Sequence, residues 1–264
     1  MDESVGIFDS GVGGLTVLRR IAERLPSEPL VYLGDTARVP YGTKSADTVV
    51  RYARACADIL LKRGIKLLVV ACNTASAHAL DVLRDELPVP VLGVIEPGAR
   101  RAVEATRNGR IGVIGTAGTI GSGSYQAAIQ SLRPDAQVLC RACPLFVPLA
   151  EEGWTQGPVP LQVAHEYLDG LVQDGIDTLV LGCTHYPILR DVIAEALGDG
   201  VTVVDSAEAT SVVVEEVLDS LGLRADENER PDLRFLSTDA PQNLAHVGEL
   251  FLGKPLIKVE WVDI

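Results

Sequence analysis

The chain predicts an α/β fold of two pseudo-symmetric lobes, with mainly parallel sheets and an active site where the lobes meet. Three observations carry the prediction. Apolar runs of strand length alternate with amphipathic helical stretches along most of the 264 residues, the order that gives parallel strands with helices packed on their faces. Two of these runs, Ile65-Lys-Leu-Leu-Val-Val-Ala-Cys72-Asn73-Thr74 and Ile176-Asp-Thr-Leu-Val-Leu-Gly-Cys183-Thr184-His185, reach a cysteine at the same offset and then turn polar. The opening run Val5-Gly6-Ile7-Phe8-Asp9-Ser10 also lies over Ile111-Gly112-Val113-Ile114-Gly115-Thr116, with 66 residues from glycine to cysteine in the first copy and 71 in the second. A layout this regular implies two similar lobes, each with one cysteine at a strand end. Residues 1–97 with 208–264 are expected to form the first lobe, and residues 98–207 the second.

In chain order, residues 5–9 read as a short strand that breaks at Ser10-Gly11-Val12-Gly13-Gly14, and residues 15–25 have helical periodicity ending before Pro26. Residues 30–33 are the next strand, closed by Gly34-Asp35. The loop after it, residues 36–44, contains Pro40 and Gly42 and is a ligand-binding candidate, because irregular loops at strand ends often carry function. Residues 48–63 and 75–87 are helical, and residues 88–95 form a strand. Glu96-Pro97-Gly98 interrupts the pattern and is the expected hinge for lobe closure, with a second near residue 207. In the second copy, helix at 100–106 precedes strands at 110–116 and 136–142, then helix at 161–174 and the second cysteine strand. Helix at 188–197, strand at 201–204 and helix at 207–221 follow, the last with Asp205-Ser206 as its N-cap. Residues 224–232 are charged and turn-like, hence a surface loop, while residues 233–236 and 257–261 are late strands that could return to the first lobe.

A formal charge of −13 and no Lys/Arg cluster exclude nucleic acid as the main partner. An anionic ligand must then be held by backbone amides and helix N-termini. The longest apolar runs are far short of the roughly 20 residues of a membrane span, and Met1-Asp-Glu-Ser leads straight into a strand without an export signal, so the expected location is cytoplasmic. Five cysteines in such a chain are expected to be reduced thiols.

In an open α/β sheet, ligands bind beyond the carboxyl ends of the strands, where Cys72 and Cys183 fall. A thiol there is either a small core residue or a reactive group; the pairing and the residues that follow favour reactivity. Cys72-Asn73-Thr74 and Cys183-Thr184-His185 place donors where strand gives way to helix, and the field of a helix N-terminus favours thiolate. His185, two residues from Cys183, shares its side in an extended segment and could take the thiol proton. Asp9 is either a helix cap or a functional carboxylate beside Cys72. The Gly11–Gly14 turn with Asp35 24 residues after Gly11 also keeps a nucleotide reading open. Cys140-Arg-Ala-Cys143 has redox or half-zinc spacing without a second pair, and Cys56 reads as a core residue in a helix.

Phe8-Asp9-Ser10-Gly-Val-Gly-Gly14-Leu-Thr16, Gly34-Asp35-Thr36, Pro40-Tyr41-Gly42, Ala71-Cys72-Asn73-Thr74-Ala75-Ser76, Gly115-Thr116 and Gly182-Cys183-Thr184-His185-Tyr186-Pro187 together resemble the bacterial glutamate racemases of the cofactor-independent aspartate/glutamate racemase superfamily. The match runs in order through nearly the whole chain. The resemblance implies two lobes enclosing glutamate, no cofactor and no metal, and a cytoplasmic supply of D-glutamate for peptidoglycan; it leaves a homodimer open. By the same resemblance Cys72 and Cys183 are the catalytic pair, Asp9 tunes Cys72, and His185 with Glu151 assists Cys183, Glu151 being chosen over adjacent Glu152 by spacing alone. Asp9, Ser10, Pro40, Tyr41, Gly42, Cys72, Asn73, Thr74, Thr116, Cys183, Thr184 and His185 match substrate-contacting positions. Inverting a carbon that bears a hydrogen can be done by removing the proton from one face and delivering another to the opposite face, which needs two flanking acid/base groups such as two facing thiols. Other readings are a racemase of aspartate or another superfamily substrate, and a two-lobed protein that binds an acidic amino acid without turning it over. Paired thiols count against the last, since binding alone does not call for two reactive groups.

Overall fold

Strands covered on both faces read as continuous Val/Ile/Leu runs. In the computed structural model, which describes residues 3–226 and 232–264, β1 (Ser4–Asp9), β2 (Leu30–Gly34) and β3 (Ile65–Val70) are buried at every position. They form the centre of a six-stranded parallel sheet completed by β4 (Val91–Gly93), β9 (Leu233–Ser237) and β10 (Val259–Trp261), in the order β10-β9-β2-β1-β3-β4. A second parallel sheet has the order β6-β5-β7-β8, from β5 (Arg110–Gly115), β6 (Gln137–Ala142), β7 (Thr178–Gly182) and β8 (Thr202–Asp205). β1 and β5 hold equivalent interior places, each beside the strand that runs into a cysteine. Cys72 follows β3 by two residues and is the N-cap of α3 (Asn73–Glu86), and Cys183 follows β7 directly.

An apolar cluster running from Leu15 and Leu18 of α1 (Leu15–Arg24) through Leu181 and Cys183 to Phe146 and Phe251 joins the two lobes. α10 (Ser206–Leu221), capped by the Asp205 carboxylate on the Ala207 amide at 2.8 Å, packs on both α1 and α4 (Ile95–Ala105). No helix among the described residues is long and apolar enough to cross a membrane.

Local expectations differ from the structure in four places. Glu96-Pro97-Gly98 does not interrupt the chain but forms the first turn of α4, where proline's missing N–H and fixed φ are tolerated. The strand expected at 88–95 contracts to three residues because Pro88 and Pro90 cannot donate to a ladder and Ile95 already starts the helix. Residues 144–153 contain the short helix α7 (Phe146–Glu151), and α11 (Pro241–Leu252) lies between the two late strands. Of the surface loop expected at 224–232, residues 227–231 lie outside the described residues.

At the opposite ends of the strands from the cysteines, Lys66 of β3 and Glu28, 7% and 3% exposed, form an ion pair, and the Glu28 Oε2 also accepts the Ala225 amide at 3.0 Å. Removing one partner of a buried pair leaves an uncompensated charge. Lys66→Met is therefore expected to destabilise the fold by about 3 kcal/mol, read as a lower urea midpoint by circular dichroism; an unchanged midpoint would show that the pair adds no net stability.

Candidate active site between the sheets

β1 delivers Asp9 to the lobe boundary, fully buried, and the chain then turns through Ser10–Gly14 into α1. Asp9 Oδ2 accepts the Gly11 amide at 3.0 Å, and its Oδ1 lies 3.3 Å from the Thr184 hydroxyl of the other lobe. Gly14, not Asp9, is the N-cap of α1, so the carboxylate shapes the turn and bridges the lobes instead of capping. Burial lifts the Asp9 carboxyl above the usual carboxylate range; the positive His185, the Gly11 and Gly14 amides and Thr184 pull it back. The Thr16 hydroxyl lies 2.9 Å from the Gly13 carbonyl and 3.0 Å from that of Thr184, a second link between the lobes.

The glycine turn is closed on itself: the amides of Leu15, Thr16 and Val17 donate to Val12, Gly13 and Gly14 carbonyls, and so are not presented to a phosphate. Asp35 is fully buried among protein donors, unavailable to a ribose hydroxyl. Both observations overturn the nucleotide reading.

The two thiols have different surroundings. Cys72, 6% exposed, donates to the Ser10 hydroxyl at 3.6 Å. Burial and then the negative Asp9 push its thiol up to about 12, against the Ala75 amide and Ser10. The helix N-terminus expected to favour thiolate is thus outweighed by desolvation. Negative charge on Cys183 raises Cys72 further, so the sulfurs do not readily ionise together. Cys183, also 6% exposed, has its sulfur 3.8 Å from His185 Nδ1. They meet through a turn, with His185 at φ −80° and ψ −28°, not through the same-side alternation of an extended segment.

His185 Nε2 in turn lies 3.0 Å from Glu151 Oε1 at the end of α7, while Glu152 lines an outer hollow with Leu149 and Trp154. Burial disfavours the imidazolium, but hydrogen bonds to Cys183 and Glu151, with the charges of Cys183 and Asp9, outweigh it and raise His185 to about 10. The ring is steadied edge-on by Phe251, 5.2 Å between centroids.

Around the thiols stand uncharged donors. The Tyr125 hydroxyl donates to Asn73 Oδ1 at 2.7 Å, which leaves Asn73 Nδ2 buried and without a partner among the described residues. A buried unpaired amide donor invites an acceptor from a ligand. Thr74, Thr116 and Thr119 form a hydroxyl triangle across the lobes, with edges of 2.9, 3.1 and 3.1 Å. Tyr41 is only 1% exposed and its hydroxyl is bonded to Asp35, so Pro40–Gly42 meets the site through Gly42, which packs on Thr116.

Thus Asp9, Ser10, Cys72, Thr184, Cys183, His185 and Glu151 form one connected set, Asn73, Thr74 and Thr116 flank it, and the Tyr41 side chain is turned away. Cys140 and Cys143 belong to different apolar clusters, and Cys56 lies in the core of the first lobe. No group of three His, Cys, Asp or Glu side chains among the described residues is arranged to hold a metal ion. Three neighbours escape sequence reasoning. Thr119 had a signal, its N-cap spacing of three from Thr116, and Thr16 had one as the end of the opening motif; Tyr125 had none, since packing between the lobes brings it in.

Residues 6–213 match the family model described as Asp/Glu/Hydantoin racemase. A glutamate racemase of Geobacter metallireducens is 55% identical over 262 residues, covering 99% of this chain and 97% of that protein. Among solved structures, the glutamate racemase isoform RacE1 of Bacillus anthracis superposes with a TM-score of 0.95 at 41% identity, covering 99% of this chain and 98% of that one. The glutamate racemase of Francisella tularensis, solved in complex with D-glutamate, gives 0.93 at 36% identity with the same coverage.

Proposed function

The chain belongs to the Asp/Glu/hydantoin racemase family, and from that premise we propose that it interconverts L- and D-glutamate by proton transfer at Cα between two cysteines. The observation that carries this reading is the pair of buried, charge-coupled thiols at equivalent strand ends, each with its own polar partner. Relatives named glutamate racemase and the neighbour bound to D-glutamate support the choice of substrate.

In one direction the Cys72 thiolate takes the Cα proton and the Cys183 thiol delivers its own to the opposite face; the reverse reaction exchanges the roles. One C–H bond breaks and one forms, with no net change in charge. The Cα–H of an amino acid is a very weak acid, so the carbanion must meet donors already in place. Asn73 Nδ2 and the hydroxyls of Thr74 and Thr116 are suited to the substrate carboxylates. His185 supports negative charge on Cys183 when that sulfur has given up its proton, and Asp9 sets the proton affinity of Cys72. D-Glutamate made in this way in the cytoplasm would feed peptidoglycan synthesis.

Circular dichroism and proton NMR of each enantiomer in D2O, without added cofactor, test the reading. Loss of optical activity with deuterium entering Cα is expected. Unchanged glutamate would sink it, and turnover of aspartate alone would keep the mechanism but replace the substrate.

The same assay reads the packing at Gly13, where a Cβ would fall 2.4 Å from Thr184 Oγ1 and 2.5 Å from His185 Nδ1. Gly13→Ala must push the Cys183 turn away from Asp9, and kcat/KM is expected to fall about 100-fold. Wild-type kinetics in this variant would show that the turns move apart at no cost to catalysis.

A further inference from the structure

Asp35, directly after β2, is 0% exposed, yet carries a carboxylate that sheet formation does not require. Its Oδ1 accepts the Thr238 hydroxyl at 2.9 Å; its Oδ2 accepts Arg38 Nε at 2.7 Å and the Tyr41 hydroxyl. Two of these donors lie in the loop between β2 and α2 (Ala46–Leu61), and the third follows β9. The Thr238 hydroxyl also accepts the Ala37 amide at 3.0 Å, and Thr36 Oγ1 lies 2.8 Å from Ser237 Oγ, so the loop is fastened along its length. Arg38 stacks on the Tyr52 ring at 4.4 Å, and the Tyr41 ring packs on the same tyrosine. Burial, followed by the negative charges of Cys56 and Asp35, drives the Tyr41 hydroxyl far above its usual range, so it remains a donor at every physiological pH.

The far end of the loop touches the active site. A Cβ on Gly42 would come within 2.7 Å of Thr116 Cβ, so the Gly42 backbone lies directly against the hydroxyl triangle shared by the lobes. Resting on the racemase reading above, we propose that Asp35 is a positioning residue: by holding Arg38 and Tyr41 it fixes the Pro40–Gly42 backbone against Thr116 and sets the affinity for the amino-acid substrate. Asp35 takes no part in proton transfer. Its loss therefore weakens ground state and transition state alike, which appears in KM and not in kcat.

The test is steady-state racemisation of both enantiomers by wild type, Asp35→Asn, Tyr41→Phe and the double variant, with Lys66→Met as a control whose buried pair lies at the other end of the sheet. Asp35→Asn is expected to raise KM about 10-fold for each enantiomer with kcat within about 3-fold. Tyr41→Phe should move KM in the same direction, and the double variant should do no more than Asp35→Asn alone, because the Tyr41 hydroxyl acts through its bond to Asp35. Lys66→Met should lower thermal stability and leave KM unmoved. An unmoved KM in both Asp35→Asn and Tyr41→Phe overturns the proposal, as does a fall in kcat at constant KM. Should Asp35→Asn fail to fold, Tyr41→Phe decides alone. Wild type inactive on glutamate would instead overturn the substrate reading, before the variants are compared.

Discussion

Cys72→Ser and Cys183→Ser are each expected to lower glutamate racemisation by roughly 10²–10⁴-fold, the range a positioned general acid/base contributes. Serine keeps the shape but is a far weaker acid whose alkoxide is not available as a base, and in the proposed mechanism neither sulfur could stand in for the other because they would act on opposite faces of Cα. Cys72 is the more demanding case. Its thiol is pushed up to about 12, first by burial and then by Asp9, so forming its thiolate costs more than for an ordinary cysteine. Circular dichroism on both enantiomers gives the rates, and deuterium exchange at Cα shows whether either half-reaction survives. A variant that racemises at the wild-type rate would remove that sulfur from the mechanism.

The second large effect is expected at His185. His185→Gln removes the group 3.8 Å from Cys183 while the neighbouring Glu151 stays in place, and kcat should fall about 100-fold. The same substitution has a signature in stability. Burial opposes the charged ring, yet the bonds to Cys183 and Glu151 hold its proton up to about 10, above the usual value of 6.5. Between these values the native state binds more protons than the unfolded chain, so stability falls as pH rises. The contribution is fully present below about 6.5 and lost as pH passes through about 10. Urea unfolding across that window should show a downward slope in wild type that is flatter in His185→Gln. Equal slopes would place the proton elsewhere.

The fold was legible because the chain states it twice: the overlay of residues 5–10 on 111–116 and the matching cysteine offsets correspond to the central places of β1 and β5 and the neighbouring β3 and β7. Short helices were harder. α7 holds Pro148 and follows Pro144, residues that read as turn, and α4 begins with the Glu-Pro-Gly run that reads as a break. At the site, residue types at strand ends marked the thiols, Asp9 and His185, but not which way side chains point. Tyr41 sits in a loop that reads as ligand-facing, yet its hydroxyl turns inward because a buried Asp35 requires donors. Tyr125 reaches Asn73 across 52 residues of sequence, a contact that only the packing of one lobe on the other creates.

The two sulfurs, nearly sealed from solvent and with unlike neighbours, have a consequence for how successive turnovers are linked. In the two-cysteine mechanism proposed above, each passage of substrate would leave the proton on the opposite sulfur from the one that held it before. The free enzyme would therefore be two species that differ only in where one hydrogen resides, each competent for a single enantiomer. A molecule that had just released D-glutamate would be primed for D-glutamate again, and would have to trade a proton with water before it could accept the L form. At high substrate concentration that reset, not the chemistry at Cα, would then set the pace, and the enzyme would carry a short memory of the hand it last let go.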